Sequence, residues 1–262
     1  IYRLDFSRSG APVFGVTFTK THAEYLGLDW KRAYLATLDE LRVPAVRIAA
    51  QWNQIEPEEG TFRIEDLDFM LREAEKRNVS VILTVGRRTP RWPECHDPEW
   101  LKKLDPQDQL PLRNQQRTKD AQMKMIQTVV EHARGFKNIR MWQVENEPFL
   151  NVFGLCPRAS REFFKKEIEL VKSLDARPIL VTDSGELSPP RRTAPFGDYF
   201  GTTLYRVVWN RIMGYWKYDP LLPPAFYRAK IALTGKPIDR VIISELQAEP
   251  WLPGKSIFET PL

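Results

Sequence analysis

Short apolar runs rich in β-branched residues recur seven times along this chain, and they constrain its fold more than any other feature. Runs such as "VILTV" and "VIIS" are apolar throughout instead of alternating, which is typical of strands buried on both faces of a parallel sheet. Most of these runs are followed by a stretch with helical periodicity. The predicted strands cover residues 13–18, 45–49, 79–85, 139–144, 179–182, 199–204 and 241–244.

Amphipathic helices are predicted between these strands. Within residues 64–77, Leu67, Met70, Leu71 and Ala74 recur at the spacing that places them on one helical stripe. The same pattern predicts further helices over residues 30–41, 121–133 and 163–174.

Alternating strands and helices predict βα units, which form either an open doubly wound sheet or a closed barrel. An open nucleotide-binding sheet carries a glycine-rich turn after its first strand, but "FGVTFTKTHAEY" contains only Gly15, inside the strand itself. We therefore predict one α/β domain over residues 1–262, a (β/α)8 TIM barrel. Because only "LQAEPWLPGKSIFETPL" follows the seventh strand, we expect the eighth strand to be missing or truncated at the C-terminus. Closure by a partner chain is the alternative.

Charge and hydropathy limit the partners of this chain. It has 39 Lys and Arg against 34 Asp and Glu, and the net charge of +5 is scattered instead of forming a basic stripe, so we expect no nucleic-acid partner. No apolar run approaches the roughly 18 residues of a membrane span. The first residue is Ile1, which indicates that an N-terminal segment has been removed, so localisation is open, with export or the cell surface slightly favoured. The oligomeric state is also open.

The two cysteines, Cys95 and Cys156, show neither C-x-x-C spacing nor a nearby histidine pair, so we expect no metal site. Both follow predicted strands that would be neighbours in a barrel. Two free thiols are the default expectation, and a disulfide between adjacent loops is the alternative. No organic cofactor is expected.

The strongest local signal is "MWQVENEPFL", where an apolar strand runs directly into Asn146, Glu147 and Pro148. Pro148 keeps Glu147 out of the helical region, and Asn146 supplies an amide that could hydrogen-bond a substrate hydroxyl. A barrel builds its active site at the C-terminal ends of its strands, so this carboxyl is placed for general-acid work. Glu145 points to the opposite side by strand alternation, and we predict a structural role for it.

A second carboxylate, Glu245, ends the seventh apolar strand after Ser244. Retaining glycoside hydrolysis uses two carboxyls about 5 Å apart, so we predict Glu147 as general acid/base and Glu245 as nucleophile. Glu147 then needs a raised pKa, whereas Glu245 must stay charged and needs donors close by. Arg47, inside the second strand, and Tyr205, after the sixth, are the candidates.

Tryptophans after the strand ends could stack on sugar rings, with core packing as the alternative for each of them. The substrate-binding candidates are Trp52, Trp92, Trp209 and Trp251. The pattern leaves the roles of His22, Asp183 and Glu186 open.

The combination of "VRIAAQW", "NEP" and "SELQAEPW" resembles clan A of the glycoside hydrolases, the cellulase-like barrels, from Phe14 to Trp251. The resemblance implies an acid/base at Glu147 beside Asn146, a nucleophile at Glu245 and a supporting arginine at Arg47. The loop "WNQIEPEEGTF" and Tyr205 are also similar to clan members. Where cellulase-like members often end strand three with a histidine, this sequence has Gly86 and Arg87.

These observations together predict a retaining glycoside hydrolase that cleaves a β-linked oligo- or polysaccharide by double displacement. The alternative is a noncatalytic, carbohydrate-binding barrel in which the carboxylates only hold sugar.

Overall fold

The computed structural model describes residues 12–104, 116–150, 154–157, 159–210, 214–218 and 221–247. Seven parallel strands form one sheet whose order follows the chain, and two further strands form a separate antiparallel hairpin. In chain order the strands are β1 (Val16–Thr17), β2 (Ala45–Ala49), β3 (Ser80–Val85), β4 (Ile139–Val144), β5 (Ile179–Asp183), β6 (Tyr199–Leu204), β7 (Val207–Asn210), β8 (Gly214–Lys217) and β9 (Val241–Leu246).

Helices follow most of the sheet strands, as βα units require. They are α1 (Lys20–Tyr25), α2 (Trp30–Asp39), α3 (Trp52–Ile55), α4 (Glu65–Lys76), α5 (Glu99–Leu104), α6 (Gln116–Ala133), α7 (Arg161–Leu174) and α8 (Pro224–Leu233). Single 3-10 turns occur at Pro190–Arg192, Ala194–Phe196 and Ile238–Arg240.

The start of α7 illustrates how the sequence sets a helix boundary. Ser160 has an extended backbone, and its Oγ accepts a hydrogen bond from the backbone N–H of Phe163 at 3.1 Å. This cap satisfies one of the amide groups that the first helical turn leaves without a partner. Phe164, Ile168 and Val171 follow at helical spacing and bury the same face of α7.

The core lies between the sheet and the surrounding helices. Val81, Leu83 and Val85 of β3 are fully buried, and so are Leu71 of α4 and Ile126 of α6. Apolar strands covered on both faces are what a parallel barrel requires, because helices pack against its outer surface.

The structure confirms the predicted fold class, because seven parallel strands with intervening helices form a nearly closed barrel, as in a (β/α)8 barrel lacking one strand. Within the described ranges no strand pairs with both β9 and β1. The β7–β8 hairpin, inserted after β6, was not predicted. None of the described helices is long and apolar enough to cross a bilayer.

Candidate active site

The chain turns sharply where β4 ends. Glu145 and Glu147 both adopt left-handed backbone conformations, with φ of 57° and 46°. Such conformations cost a non-glycine residue of the order of 1 kcal/mol or more and persist only where neighbouring groups hold them. Here the backbone N–H of Asn146 donates to the carbonyl of Arg88 at 2.7 Å, and that of Glu147 donates to Thr182 Oγ1 at 3.0 Å. The turn is thereby tied to the neighbouring strands β3 and β5.

The carboxyl of Glu147 is almost completely buried, with 5% of the residue exposed. Burial raises its pKa well above the ordinary value, the negative charges of Glu245 and Glu94 raise it further, and Arg88 opposes them. Its Oε1 has no hydrogen-bond partner within the described part of the chain. This environment favours the protonated form of Glu147, and among the described residues no group hydrogen-bonds its Oε1.

Glu245, at the end of β9, has a different environment. Arg47 donates from its Nη2 to Oε1 at 3.0 Å, and the hydroxyl of Tyr205 donates to Oε2 at 2.8 Å. Burial and then the charge of Glu245 raise the pKa of Tyr205, so its hydroxyl keeps the proton that it donates. One cation and one hydroxyl thus stabilise the carboxylate form of Glu245.

Arg47 is itself held in place by three partners. Its Nε donates to Thr17 Oγ1 at 3.0 Å and its Nη1 to Gln143 Oε1 at 3.2 Å, besides the bond to Glu245. The residue is only 5% exposed. A buried guanidinium in a strand needs such a set of acceptors, as its position in the sequence indicated.

The side-chain amide of Asn146 has a defined orientation. Its oxygen accepts from Gln143 Nε2 at 3.1 Å and from Thr182 Oγ1 at 3.3 Å. Its nitrogen donates to Glu94 Oε1 at 3.4 Å. The structure thus brings together the predicted residues Asn146, Glu147, Glu245, Arg47 and Tyr205.

The predicted sugar-binding tryptophans Trp52 and Trp92 differ in their exposure to solvent. Trp52 is fully buried, donates its indole N–H to Glu56 at 2.8 Å and packs edge-on against Trp100. The expectation that Trp52 contacts sugar is wrong, because α3 turns this side chain into the core. Trp92 is 55% exposed in the loop after β3 and precedes a cis peptide bond to Pro93.

Two predicted substrate contacts have side chains outside the described residues. The backbone of Trp209 lies in β7, opposite Tyr215, but its side chain is not part of the description. Trp251 as a whole falls beyond residue 247.

Glu145 connects the site to the outer helices. Its carboxylate accepts the backbone N–H groups of Arg87 and Arg88, both at 2.7 Å, and the amide of Gln122 on α6 at 2.8 Å. It also hydrogen-bonds Glu167 on α7, whose pKa is raised well above the ordinary value by burial and by the charge of Glu145. Of this pair, Glu167 holds the proton.

Gly86 permits this arrangement. A Cβ at this position would lie 2.4 Å from Glu145 Oε1, and the backbone φ is +118°, a conformation that favours glycine. Any side chain here would displace Glu145, which explains in physical terms why a glycine directly follows β3.

Three residues whose roles the sequence left open also lie around the strand ends. Glu186 accepts the backbone N–H of Tyr205 at 2.7 Å and the hydroxyl of Tyr227 at 2.9 Å, and so supports the loop after β6. Asp183 accepts from Thr193. His22 contacts Arg91, and burial followed by the Arg91 charge lowers the pKa of this histidine to about 4.

The expectation of two free thiols is wrong. Cys95 and Cys156 form a disulfide, with Cα atoms 5.3 Å apart, that joins the loops after β3 and β4. The two loops follow adjacent strands, so the barrel itself brings the cysteines together.

Comparison with solved structures shows the same fold at low identity. The GH5_18 protein of Streptomyces cattleya, solved in complex with GlcNAc, is 18% identical with a TM-score of 0.58, covering 74% of this chain and 51% of that one. The beta-galactosidase of Rahnella sp. R3 is 12% identical with a TM-score of 0.59, covering 79% and 41%. The beta-galactosidase of Halorubrum lacusprofundi is 16% identical with a TM-score of 0.55, covering 80% and 42%. This chain therefore spans about half the length of these proteins or less.

Comparison with curated protein sequences gave no match. A family model described as beta-galactosidase, that of glycoside hydrolase family 42, matches residues 29–175, which is more than half of the chain. The chain therefore belongs to this glycoside hydrolase family, among the TIM-barrel glycosidases of clan A.

Proposed function

We propose that this chain hydrolyses a β-linked oligo- or polysaccharide with retention of configuration, with Glu147 as general acid/base and Glu245 as nucleophile. The observation that carries the proposal is that the carboxyls of Glu147 and Glu245, which interact electrostatically, have opposite environments. Burial and negative neighbours favour the protonated form of Glu147, whereas Glu245 accepts hydrogen bonds from a cation and a hydroxyl. Retaining hydrolysis needs this division of roles.

In the first step, a carboxylate oxygen of Glu245 attacks the anomeric carbon. The bond from that carbon to the glycosidic oxygen breaks, and the proton of Glu147 passes to the leaving oxygen. In the second step, water gives a proton to the Glu147 carboxylate and attacks the same carbon, which releases Glu245 as a carboxylate. Both carboxyls return to their initial states, so no cofactor is consumed.

The raised pKa of Glu147 suits this cycle. While Glu245 is charged, its field favours the protonated form of Glu147, the form needed for the first step. Once Glu245 is esterified by the sugar its charge is gone, so the pKa of Glu147 falls and it becomes a better base for the second step.

Substrate groups have two clear places to bind. The unpartnered Oε1 of Glu147 could face the glycosidic oxygen, and Asn146 lies next to it with a fixed amide. Trp92 offers an exposed indole to a sugar ring beyond the cleavage point. We propose a β-galactoside as the first substrate to try, because the family model bears that description.

Site-directed variants test the proposal. Glu147→Gln and Glu245→Gln should each lower the turnover of aryl β-glycosides by several orders of magnitude, and azide should restore turnover to Glu245→Gly by taking the place of the nucleophile. Glu56→Gln is the matched control, since Glu56 is equally buried but holds Trp52 and Gly60 in the loop after β2. Oligosaccharide binding in calorimetry without any cleavage would favour a noncatalytic carbohydrate-binding barrel instead.

A further inference from the structure

A third carboxyl, Glu94, lies beside the two proposed catalytic glutamates, in the loop after β3. It is 4% exposed, and its Oε1 accepts from the side-chain amide of Asn146 at 3.4 Å. Its charge raises the pKa of Glu147, and the charge of Glu245 raises the pKa of Glu94. The sequence pattern gave no reason to single it out.

Glu94 forms a buried ion pair with Arg88. The Nε of Arg88 donates to Glu94 Oε2 at 2.6 Å, and its Nη2 contacts the same oxygen. Arg88 is also 4% exposed, so the two opposite charges meet in the interior of the protein. Removing Glu94 takes away a buried negative charge that faces Arg88.

Arg88 in turn holds the segment 146–150 at both ends. Its backbone carbonyl accepts the N–H of Asn146 at 2.7 Å, and its Nη1 donates to the carbonyl of Leu150 at 2.6 Å. Between them, the N–H of Leu150 donates to the carbonyl of Glu147 at 2.9 Å. Arg88 is therefore hydrogen-bonded to this segment on both sides of Glu147.

We propose that Glu94 is a positioning residue of the active site, which orients Asn146 directly and fixes the backbone around Glu147 through Arg88. The inference rests on the proposed function, because it assigns a role within that reaction. Glu94 itself does not need to touch the reacting atoms.

The surroundings leave little space for Glu94 to move. A Cβ on Gly154 would lie 2.7 Å from Glu94 Oε2 and 3.3 Å from Arg88 Nη2, so the backbone of the loop after β4 packs directly on the ion pair. The next residue, Cys95, is linked to Cys156 in that same loop. The loop after β4 therefore packs against the ion pair and is covalently linked to the residue that follows Glu94.

Because the charge of Glu94 acts on Glu147, the proposed positioning role should also affect the pH dependence of kcat/KM. The charges of Glu245, Glu94, Arg88 and Asp183 act on Glu147, and Lys230 also interacts with it. Glu94 itself faces Arg88 and Glu245. Burial raises the pKa of Glu94 to about 7, against the opposing charge of Arg88. Above that pH the negative charge of Glu94 helps Glu147 to keep its proton.

The experiment compares Glu94→Gln and Glu94→Asp with wild type in kcat, KM and the pH dependence of kcat/KM. Glu94→Gln should lower kcat about 10- to 100-fold with a small change in KM, because the position of Glu147 is less defined. It should also move the basic limb of the kcat/KM profile to lower pH by about one unit, since the negative charge that favours protonated Glu147 and opposes the effect of Arg88 is lost. Glu94→Asp keeps the charge but is too short for both partners, so kcat should stay low while the basic limb stays near that of wild type.

Glu56→Gln is again the control, because Glu56 is buried in a neighbouring loop, where it accepts from Trp52 and Gly60, and is not among the principal charges that act on Glu147. It should leave the basic limb in place even if it lowers the melting temperature. A basic limb that does not move in Glu94→Gln, an increase in KM alone, or an equal shift in Glu56→Gln would overturn the role of Glu94.

A titration of ¹³C-labelled glutamate side chains by NMR gives a readout that does not need turnover. The Glu147 signal, assigned by its loss in Glu147→Gln, should titrate at lower pH in Glu94→Gln than in wild type, and an unchanged midpoint would count against the inference. Full activity in Glu147→Gln and Glu245→Gln would instead defeat the proposed function. The two failures are therefore distinguishable.

Discussion

Nη2 of Arg47 lies 3.0 Å from Oε1 of Glu245, although β2 and β9 are near opposite edges of the seven-stranded sheet. The sheet must curl until its edges approach each other for this contact to form. This ion pair therefore requires the curled, nearly closed sheet. It also places a positive charge next to the proposed nucleophile.

Replacement of Arg47 should affect activity more than any other single change outside the two glutamates. Arg47→Met removes the cation that stabilises Glu245, and the loss of one such donor typically lowers kcat about 100- to 1000-fold. Arg47→Lys keeps the charge but cannot reach Thr17, Gln143 and Glu245 together, so its activity should be intermediate. Steady-state kinetics on an aryl β-glycoside check the order, and wild-type rates in Arg47→Met would contradict it.

The hydroxyl of Tyr205 is the other donor to Glu245. Tyr205→Phe removes a hydrogen bond to a charged group, typically about 1.5 to 3 kcal/mol, which corresponds to a loss of about 10- to 150-fold in kcat/KM. Tyr34→Phe is the matched control, because the buried hydroxyl of Tyr34 donates to the carbonyl of Met70 instead. Equal losses of kcat/KM in the two variants would show that the hydrogen bond to Glu245 makes no specific contribution to catalysis.

The sequence predicted the barrel well because strands buried on both faces leave an apolar signature that depends on local residues alone. The predicted run 139–144 and β4 (Ile139–Val144) coincide, and Glu147 follows from where that strand ends. Arg47 and Glu245 could be predicted for the same reason, since each stands out as a charge within or directly after an apolar run.

The sequence-based expectations fail for residues whose surroundings are set by tertiary contacts. Trp52 was expected in the cleft, but α3 begins at this residue and turns it toward Glu56 and Trp100. Glu94 was not singled out because its proposed role depends on Asn146, which lies 52 residues further along the chain, and on an ion pair with Arg88 across its own loop. No local sequence pattern shows that these three side chains meet.

The disulfide should contribute measurably to stability. Cys95 and Cys156 are 61 residues apart, and closing a loop of that length removes conformational entropy from the unfolded chain worth about 4 kcal/mol. A reducing agent should therefore lower the melting temperature of wild type but leave the double variant Cys95→Ser, Cys156→Ser unchanged. Calorimetry with and without the reductant makes the comparison, and an equal effect on both proteins would exclude the disulfide as the cause.

The buried pair of Glu145 and Glu167 should make stability depend on pH. The folded protein keeps a proton on Glu167 that the unfolded chain releases above about 4.5, the ordinary pKa, so this contribution to stability is complete below pH 4.5 and is lost as the pH rises toward the folded pKa. Glu167→Gln can still donate to Glu145 but has no proton to lose. Its free energy of unfolding relative to wild type should therefore increase from pH 5 to 8, by at most about 1.4 kcal/mol per pH unit. Denaturant titrations at several pH values measure this difference, with Glu162→Gln, an exposed change on the same helix, as the control; a difference that stays constant with pH would mean that Glu167 is ionised in the folded protein.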